Sequence, residues 1–197
     1  MKNLLKRDFY LRDAITVSKD LLGKLLVHEI GSSRVSGKIV EVEAYMGPDD
    51  AAAHSYKKRN SKRTNIQYGE GGFAYIYMIY GLHFCFNVVT NIPQVPQAVL
   101  IRALEPVEGT SVMLENRGVK NSNQLTNGPG KLCKALGIDN SHYGLDLCGS
   151  SLYIEEYEKP LQKDIIPAKR VNVDYAGEAK DYLWRFYISG NKHVSVV

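Results

Sequence analysis

Residues 37 to 55 read GKIVEVEAYMGPDDAAAHS, and within them Glu41 and Glu43 stand two positions apart, followed by Tyr45. Side chains alternate between faces along a strand. Lys38 to Tyr45 is therefore expected to put Ile39, Glu41, Glu43 and Tyr45 on one face and Val40, Val42 and Ala44 on the other. With the valine face in the core, the first face carries two carboxylates beside an aromatic ring. Glutamate is a poor strand former, so two of them in a β-branched strand call for an explanation. A second residue out of place is Arg102 in AVLIRALEP, flanked by Leu100, Ile101, Ala103 and Leu104. A buried guanidinium demands an anionic partner, and Glu41 or Glu43 could supply it. The chemical reading is that Arg102 and a glutamate together hold a water molecule. The structural reading is that the acids simply pair with nearby Lys or Arg, and the residues alone allow both.

The other chemistry-bearing stretch is FAYIYMIYGLHFCFN, Phe73 to Asn87, whose aromatic residues fall at near-alternate positions and break at Gly81. It reads as an aromatic β-hairpin with Phe73, Tyr75 and Tyr77 on one face and a turn formed by Tyr80, Gly81, Leu82 and His83. Such a face is often ordinary core. It can equally line a pocket while the tip projects outward, the combination needed to hold a base extruded from a duplex and to fill its place with a wedge. Immediately upstream, KKRNSKR contains Lys57, Lys58, Arg59, Lys62 and Arg63 with no acid among them. A charge run of this kind is a solvated loop or a set of phosphate contacts.

These groups must be positioned by a chain of 197 residues, long enough for one domain with its own core, and a single domain over 1–197 is expected. Hydrophobic content of 44% and charged content of 23% are ordinary for a soluble protein, and no apolar run is long enough to span a bilayer. MKNLLKRDFYLRD lacks the apolar segment of a signal peptide, so a cytoplasmic protein is expected, nucleoid-associated if bacterial, without a targeting signal. Cys85, Cys133 and Cys148 are far apart and read as buried thiols, not a disulfide framework or zinc site. A net charge of +4 is too mild to identify a partner by itself.

The element pattern predicts a helix over Asp13 to Leu22, strands over Leu25 to Ile30 and Arg34 to Ala44, and a short helix over Pro48 to Ala53. It continues with a strand over Gln97 to Leu104, a helix over Glu108 to Arg117, a loop over Asn121 to Gly130 and a helix over Lys131 to Leu136. Short strands are expected near Leu152 to Glu155, Lys169 to Val173 and Leu183 to Ser189. The sum is an α+β domain with a mainly antiparallel curved sheet, flanking helices and a protruding hairpin. Asn-Gly-Pro-Gly-Lys at 127 to 131 lacks the spacing of a phosphate loop and has Leu132 where Ser or Thr is required, so nucleotide binding there is rejected. No HExxH or other ligand spacing points to a metal.

Taken in order, IVEVEAYMGPDDAAAHS, YIYMIYGLHFCFN, VLIRALEP, GPGKLCKALGI and AGEA followed by WRFYISGN closely resemble the alkyladenine, or 3-methyladenine, DNA glycosylases of the mammalian type. The resemblance runs from the first helix to the final HVSVV. It implies that Glu43 is the general base that activates the hydrolytic water, that Arg102 helps position that water, and that the backbone carbonyl of Val171 holds it. It implies a base pocket in which Tyr45 lies on one side of the flipped base and His54 with Tyr77 on the other, the main chain at His54 reads the base edge, and Asn87 crowds the guanine amino group. Tyr80 would be the wedge entering the minor groove, with Leu82 beside it. The loop between Asn87 and Arg102 is slightly longer than in mammalian members.

The activity so implied is excision of damaged purines, namely 3-methyladenine, 7-methylguanine, hypoxanthine and ethenoadenine, from double-stranded DNA, by a monomer that needs no cofactor and no metal. Cleavage of a purine from deoxyribose passes through an oxocarbenium-like sugar, and a carboxylate can both stabilise that charge and take a proton from water. Arg102 would favour the ionised form of Glu43 against desolvation. No lysine occupies a matched site position, so hydrolysis leaving an abasic site, without a lyase step, is expected. Two other readings are a non-catalytic module that binds damaged duplex and a small-molecule purine nucleoside hydrolase. A salt titration separates the latter, since it should show no steep salt dependence.

Overall fold

Asp13 opens the first substantial helix by accepting hydrogen bonds from the amides of Ile15 and Thr16, which satisfies two of the donors that a helix start leaves free. This helix, α2 (Ala14–Leu21), follows a single turn, α1 (Arg7–Tyr10), and buries Ala14, Val17, Ser18 and Leu21 on one stripe. The chain then reverses at Gly23, whose φ is +84° and where a Cβ would stand 2.4 Å from the carbonyl oxygen of Glu158. Only glycine fits that approach. A computed structural model describes residues 3–120, 124–149 and 151–196.

Eight strands follow from the alternating and apolar runs: β1 (Leu25–Ile30), β2 (Ser33–Tyr45), β3 (Ala74–Ile79), β4 (His83–Thr90), β5 (Gln97–Glu108), β6 (Leu152–Glu155), β7 (Ile165–Ala168) and β8 (Arg185–Ile188). They form one open, curved sheet in the order β3-β4-β5-β2-β1-β6, with β8 pairing to β2 and β7, and every pair is antiparallel. The 13-residue strand β2 is its axis. It pairs with β5 on one edge, and on the other with β1 over its first half and β8 over its second. Helices α2, α3 (Thr110–Arg117) and α4 (Pro129–Ala135) cover one face, and the single main core lies between them and Ile39, Val42, Ala44, Phe86, Val88, Val99 and Ile101. Each fully buried aliphatic or aromatic side chain there contributes about 1.5–3 kcal/mol. No helix of the described residues is long and apolar enough to cross a membrane.

The fold is thus α+β, one compact domain, as expected, with four departures in detail. The glutamate face is not a simple alternation. Register irregularities between Ile39 and Glu41 and between Glu41 and Val42 exchange the first two positions, so that Ile39 joins the main core and Val40 packs with Ala103 and Val194 in a separate cluster. Pro48 to Ala53 is a series of turns and not a helix, because the Asp50 carboxylate accepts from the amides of Met46 and Ala52 and holds the chain in a turn. The strand expected over Lys169 to Val173 lies earlier, at β7, because Arg170 and the Val171 amide are engaged elsewhere. The hairpin turn is also shifted by one residue: the Leu82 amide donates to the Ile79 carbonyl, and Tyr80 and Gly81 between them have φ of 52° and 66°. Positive φ at both central positions is the requirement of a type I′ turn. Of the loop expected over Asn121 to Gly130, residues 121–123 lie outside the described residues. All three cysteines are free, Cys148 being half-buried where full burial was expected.

Candidate active site

The face of the sheet opposite the helices carries a row of side chains set by strand register. Tyr75 pairs with Asn87, Asn87 with Leu100, Leu100 with Glu43, and Glu43 with Arg185, so five residues from β3, β4, β5, β2 and β8 lie side by side. Glu43 is at the centre and has no solvent exposure. Its Oε1 accepts from the Val171 amide at 2.7 Å and pairs with Nη1 of Arg102 at 3.3 Å, and its Oε2 accepts from the Tyr45 hydroxyl at 2.8 Å. All three partners donate, as a carboxylate requires.

Arg102 does not choose between the two acids. Its Nε lies 3.3 Å from Oε1 of Glu41, its Nη1 reaches Glu43, and its Nη2 donates to the Ser195 hydroxyl at 3.3 Å. Burial opposes its charge, but Glu43 and Glu41 outweigh that and raise its pKa above the ordinary arginine value. Glu41 is held in turn by Nη1 of Arg185 at 2.9 Å and by the Ser195 amide at 2.7 Å. Two acids and two arginines thus form one buried, charge-balanced chain, Glu43-Arg102-Glu41-Arg185, closed by the C-terminal segment. The structural reading holds for the pair, since both acids are ion-paired; Glu41 is fully committed to that pairing, while Glu43 also borders a cavity.

That cavity measures about 510 Å³ and is lined by Glu43, Tyr45, His54, Tyr77, Asn87 and Arg102 among others. Tyr45 is braced from behind. The Arg170 guanidinium lies 4.9 Å from its ring centre, binds Asp50 through two contacts of 2.6 and 2.8 Å, and donates to the carbonyls of Ala44 and Ala179. Burial first, and then the Glu43 charge, push the Tyr45 pKa up, so the phenol remains a donor. His54 meets Tyr77 edge-on, with ring centres 4.7 Å apart, and its Nδ1 lies 2.8 Å from the Tyr75 hydroxyl. Burial, and then the charges of Arg63 and Arg59, lower its pKa to about 4, so the ring is neutral at physiological pH. The Asn87 side-chain nitrogen donates to the Tyr75 carbonyl at 3.0 Å, which fixes the amide.

At the hairpin tip Tyr80 is 87% exposed and Leu82 73%. Tyr80 thus combines a positive φ with an exposed ring that gains nothing from packing. Lys57, Lys58, Arg59, Lys62 and Arg63 are all exposed, and among the described residues none forms an ion pair. The first four face solvent in the loop, whereas Arg63 lines the cavity. Val171 meets Glu43 through its amide rather than its carbonyl. Among the described residues no group of three or more His, Cys, Asp or Glu side chains could hold a metal ion.

Sequence reasoning missed Arg185, Arg170, Asp50 and Ser195. Arg185 carries the same signal that singled out Arg102, an arginine among apolar neighbours in LWRFYIS. Nothing in the sequence marks Ser195, which acts chiefly through its backbone.

A family model described as methylpurine-DNA glycosylase (MPG) matches residues 8–192. Curated relatives named "Putative 3-methyladenine DNA glycosylase" include one from Desulfitobacterium hafniense, 54% identical over 200 residues with 98% of each chain covered. Another, from Clostridium acetobutylicum, is 55% identical over 199 residues with 97% of each covered. A third, from Bacillus cytotoxicus, is 49% identical over 197 residues, covering 95% of this chain and 97% of the relative.

Proposed function

Because the chain belongs to the methylpurine-DNA glycosylase family, we propose that it is a DNA N-glycosylase that takes damaged purines out of duplex DNA and hydrolyses their bond to deoxyribose. The observation that carries this reading is Glu43: a fully buried carboxylate, held by three donors, at the wall of an aromatic cavity whose neighbouring hairpin projects Tyr80 into solvent. A duplex-binding module has no use for a carboxylate facing a polyanion, and a nucleoside hydrolase has none for the wedge.

Tyr80 fills the space that the extruded nucleotide leaves, with Leu82 beside it, and Lys57, Lys58, Arg59 and Lys62 contact phosphates. The base stacks between Tyr45 and the His54 and Tyr77 rings, each stack worth about 1–3 kcal/mol against a flipping cost of a few. Asn87 stands where it opposes the amino group of guanine. The bond from C1′ to the purine nitrogen breaks with both electrons going to the base, positive charge develops on the sugar, and Glu43 stabilises it. A water held by Glu43, with Arg102 and the Val171 backbone, adds its oxygen to C1′ and gives its proton to Glu43. A cationic base leaves neutral and Glu43 then returns its proton to solvent, whereas a neutral purine leaves as an anion that takes up one proton, so that the products are free base and an abasic site. Among the described residues no lysine lines the cavity, which supports simple hydrolysis without a Schiff base or strand cleavage. The substrates proposed are 3-methyladenine, 7-methylguanine, hypoxanthine and ethenoadenine, handled by a monomer in the cytoplasm.

The test is incubation in chelator with end-labelled duplexes containing hypoxanthine or ethenoadenine, and with methylated DNA, followed by alkali and a released-base assay. Release that disappears in Glu43→Gln is expected. Tight damage-dependent binding without release from any substrate would replace this reading with the binding module.

A further inference from the structure

The cavity already contains a cation. Nη2 of Arg63 lies 3.0 Å from Nε2 of His54, and its guanidinium carbon is 4.4 Å from the centre of the Tyr77 ring, within the range of a cation–π contact. The same Nη2 lies 3.4 Å from Nδ1 of His54, so the guanidinium sits against both ring nitrogens, and Nδ1 also lies 2.8 Å from the Tyr75 hydroxyl. The Arg63 charge helps keep the imidazole neutral.

The two arginines that line this cavity differ in one respect. Arg102 is balanced by Glu41 and Glu43, whereas Arg63 has no ion-pair partner among the described residues. Its charge is directed at the rings on which a flipped purine would stack.

We propose that Arg63 is a specificity-determining residue that biases the base pocket toward neutral purine lesions and against purines that carry positive charge. The inference rests on the glycosylase reading above. Aromatic walls by themselves favour a cationic base, because a positive ring is drawn to the π-face. With Arg63 on Tyr77 that attraction is already taken up, and an incoming cationic purine meets a like charge at the same ring. A neutral lesion such as hypoxanthine meets no such repulsion and offers acceptors to the guanidinium. Arg63 is exposed in the loop, so solvent and salt weaken the effect without removing it.

The experiment compares single-turnover kcat/KM on duplexes carrying 7-methylguanine, which is cationic, and hypoxanthine, which is neutral, for the parent protein and Arg63→Met at low salt. Methionine keeps the length and loses the charge. The ratio of 7-methylguanine to hypoxanthine should rise at least fivefold in Arg63→Met, and the rise should shrink as salt is added. Equal loss on both duplexes would identify Arg63 as a phosphate contact only and overturn the proposal. If the parent protein releases neither base, it is the glycosylase reading that fails, a result distinct from an unchanged ratio in a working enzyme.

Discussion

The Tyr45 hydroxyl donates to Oε2 of Glu43 at 2.8 Å across two positions of the same strand, so one side chain is both a wall of the cavity and a support for its carboxylate. Tyr45→Phe separates these tasks, since it keeps the ring and removes the bond. A hydrogen bond to a charged group contributes about 1.5–3 kcal/mol, so excision should slow roughly tenfold to a hundredfold while duplex affinity changes little. Single-turnover rates with saturating protein measure this, and an unchanged rate would reduce the phenol to a stacking surface.

Glu43→Gln keeps the shape of the site and removes its base. Excision should fall by about 10²- to 10⁴-fold, the usual contribution of a positioned proton acceptor, while damaged duplex still binds. Turnover close to that of the parent would sink the role assigned to Glu43.

Tyr80→Ala removes a ring that makes no packing contribution at 87% exposure, so thermal stability should be unchanged. Affinity for a duplex with an abasic-site analogue should drop about fivefold to a hundredfold, from the loss of about 1–3 kcal/mol of stacking, and affinity for undamaged duplex should drop much less. Equal losses on the two duplexes would argue against a wedge.

Arg185→Met leaves Glu41 with one buried arginine instead of two and should destabilise the protein by about 3–5 kcal/mol in urea unfolding. The double variant Glu41→Gln with Arg185→Met should regain part of that loss, since it removes both charges. A loss below about 1 kcal/mol for the single variant would mean that water reaches Glu41 and compensates it.

His54 has a folded pKa near 4, against an ordinary value of 6.5. Between those values the unfolded chain binds a proton that the folded one does not, so the associated stability is complete above pH 6.5 and is lost as pH falls toward 4. The slope is at most about 1.4 kcal/mol per pH unit. His28 and His193, also lowered, add slopes of the same sign, so the His54 share is the difference between the parent and His54→Gln in chemical denaturation at pH 4.5 and 7. Identical pH dependence in the two proteins would show that His54 titrates normally.

Much of this architecture was legible because local signals agreed with tertiary ones. The helix over Asp13 to Leu22, the aromatic alternation of the hairpin and the misplaced Arg102 each follow from a residue's immediate surroundings. The failures share a cause. Asp50 and Arg170, 120 positions apart, form a bidentate pair that overrides the helix signal of Pro48 to Ala53 and draws the chain away from a strand after Ala168. The exchange of Ile39 and Val40 depends on an irregularity shared with β5, which strict alternation cannot anticipate. Local pattern reads propensity, and a long-range ion pair or a bulge decides against it.

The bond from the Ser195 amide to Glu41 spans 154 positions. During synthesis at roughly 5–20 residues per second, the segment around Glu41 leaves the ribosome about 8 to 30 s before the segment that completes its charge network. Until then the two glutamates lack Arg185 and both must stay hydrated, so the sheet face that carries them cannot close. A nascent chain therefore carries its hairpin and basic loop long before Glu41 has its second arginine and the Ser195 amide, and the buried charge network is the last part of this sheet face to be completed.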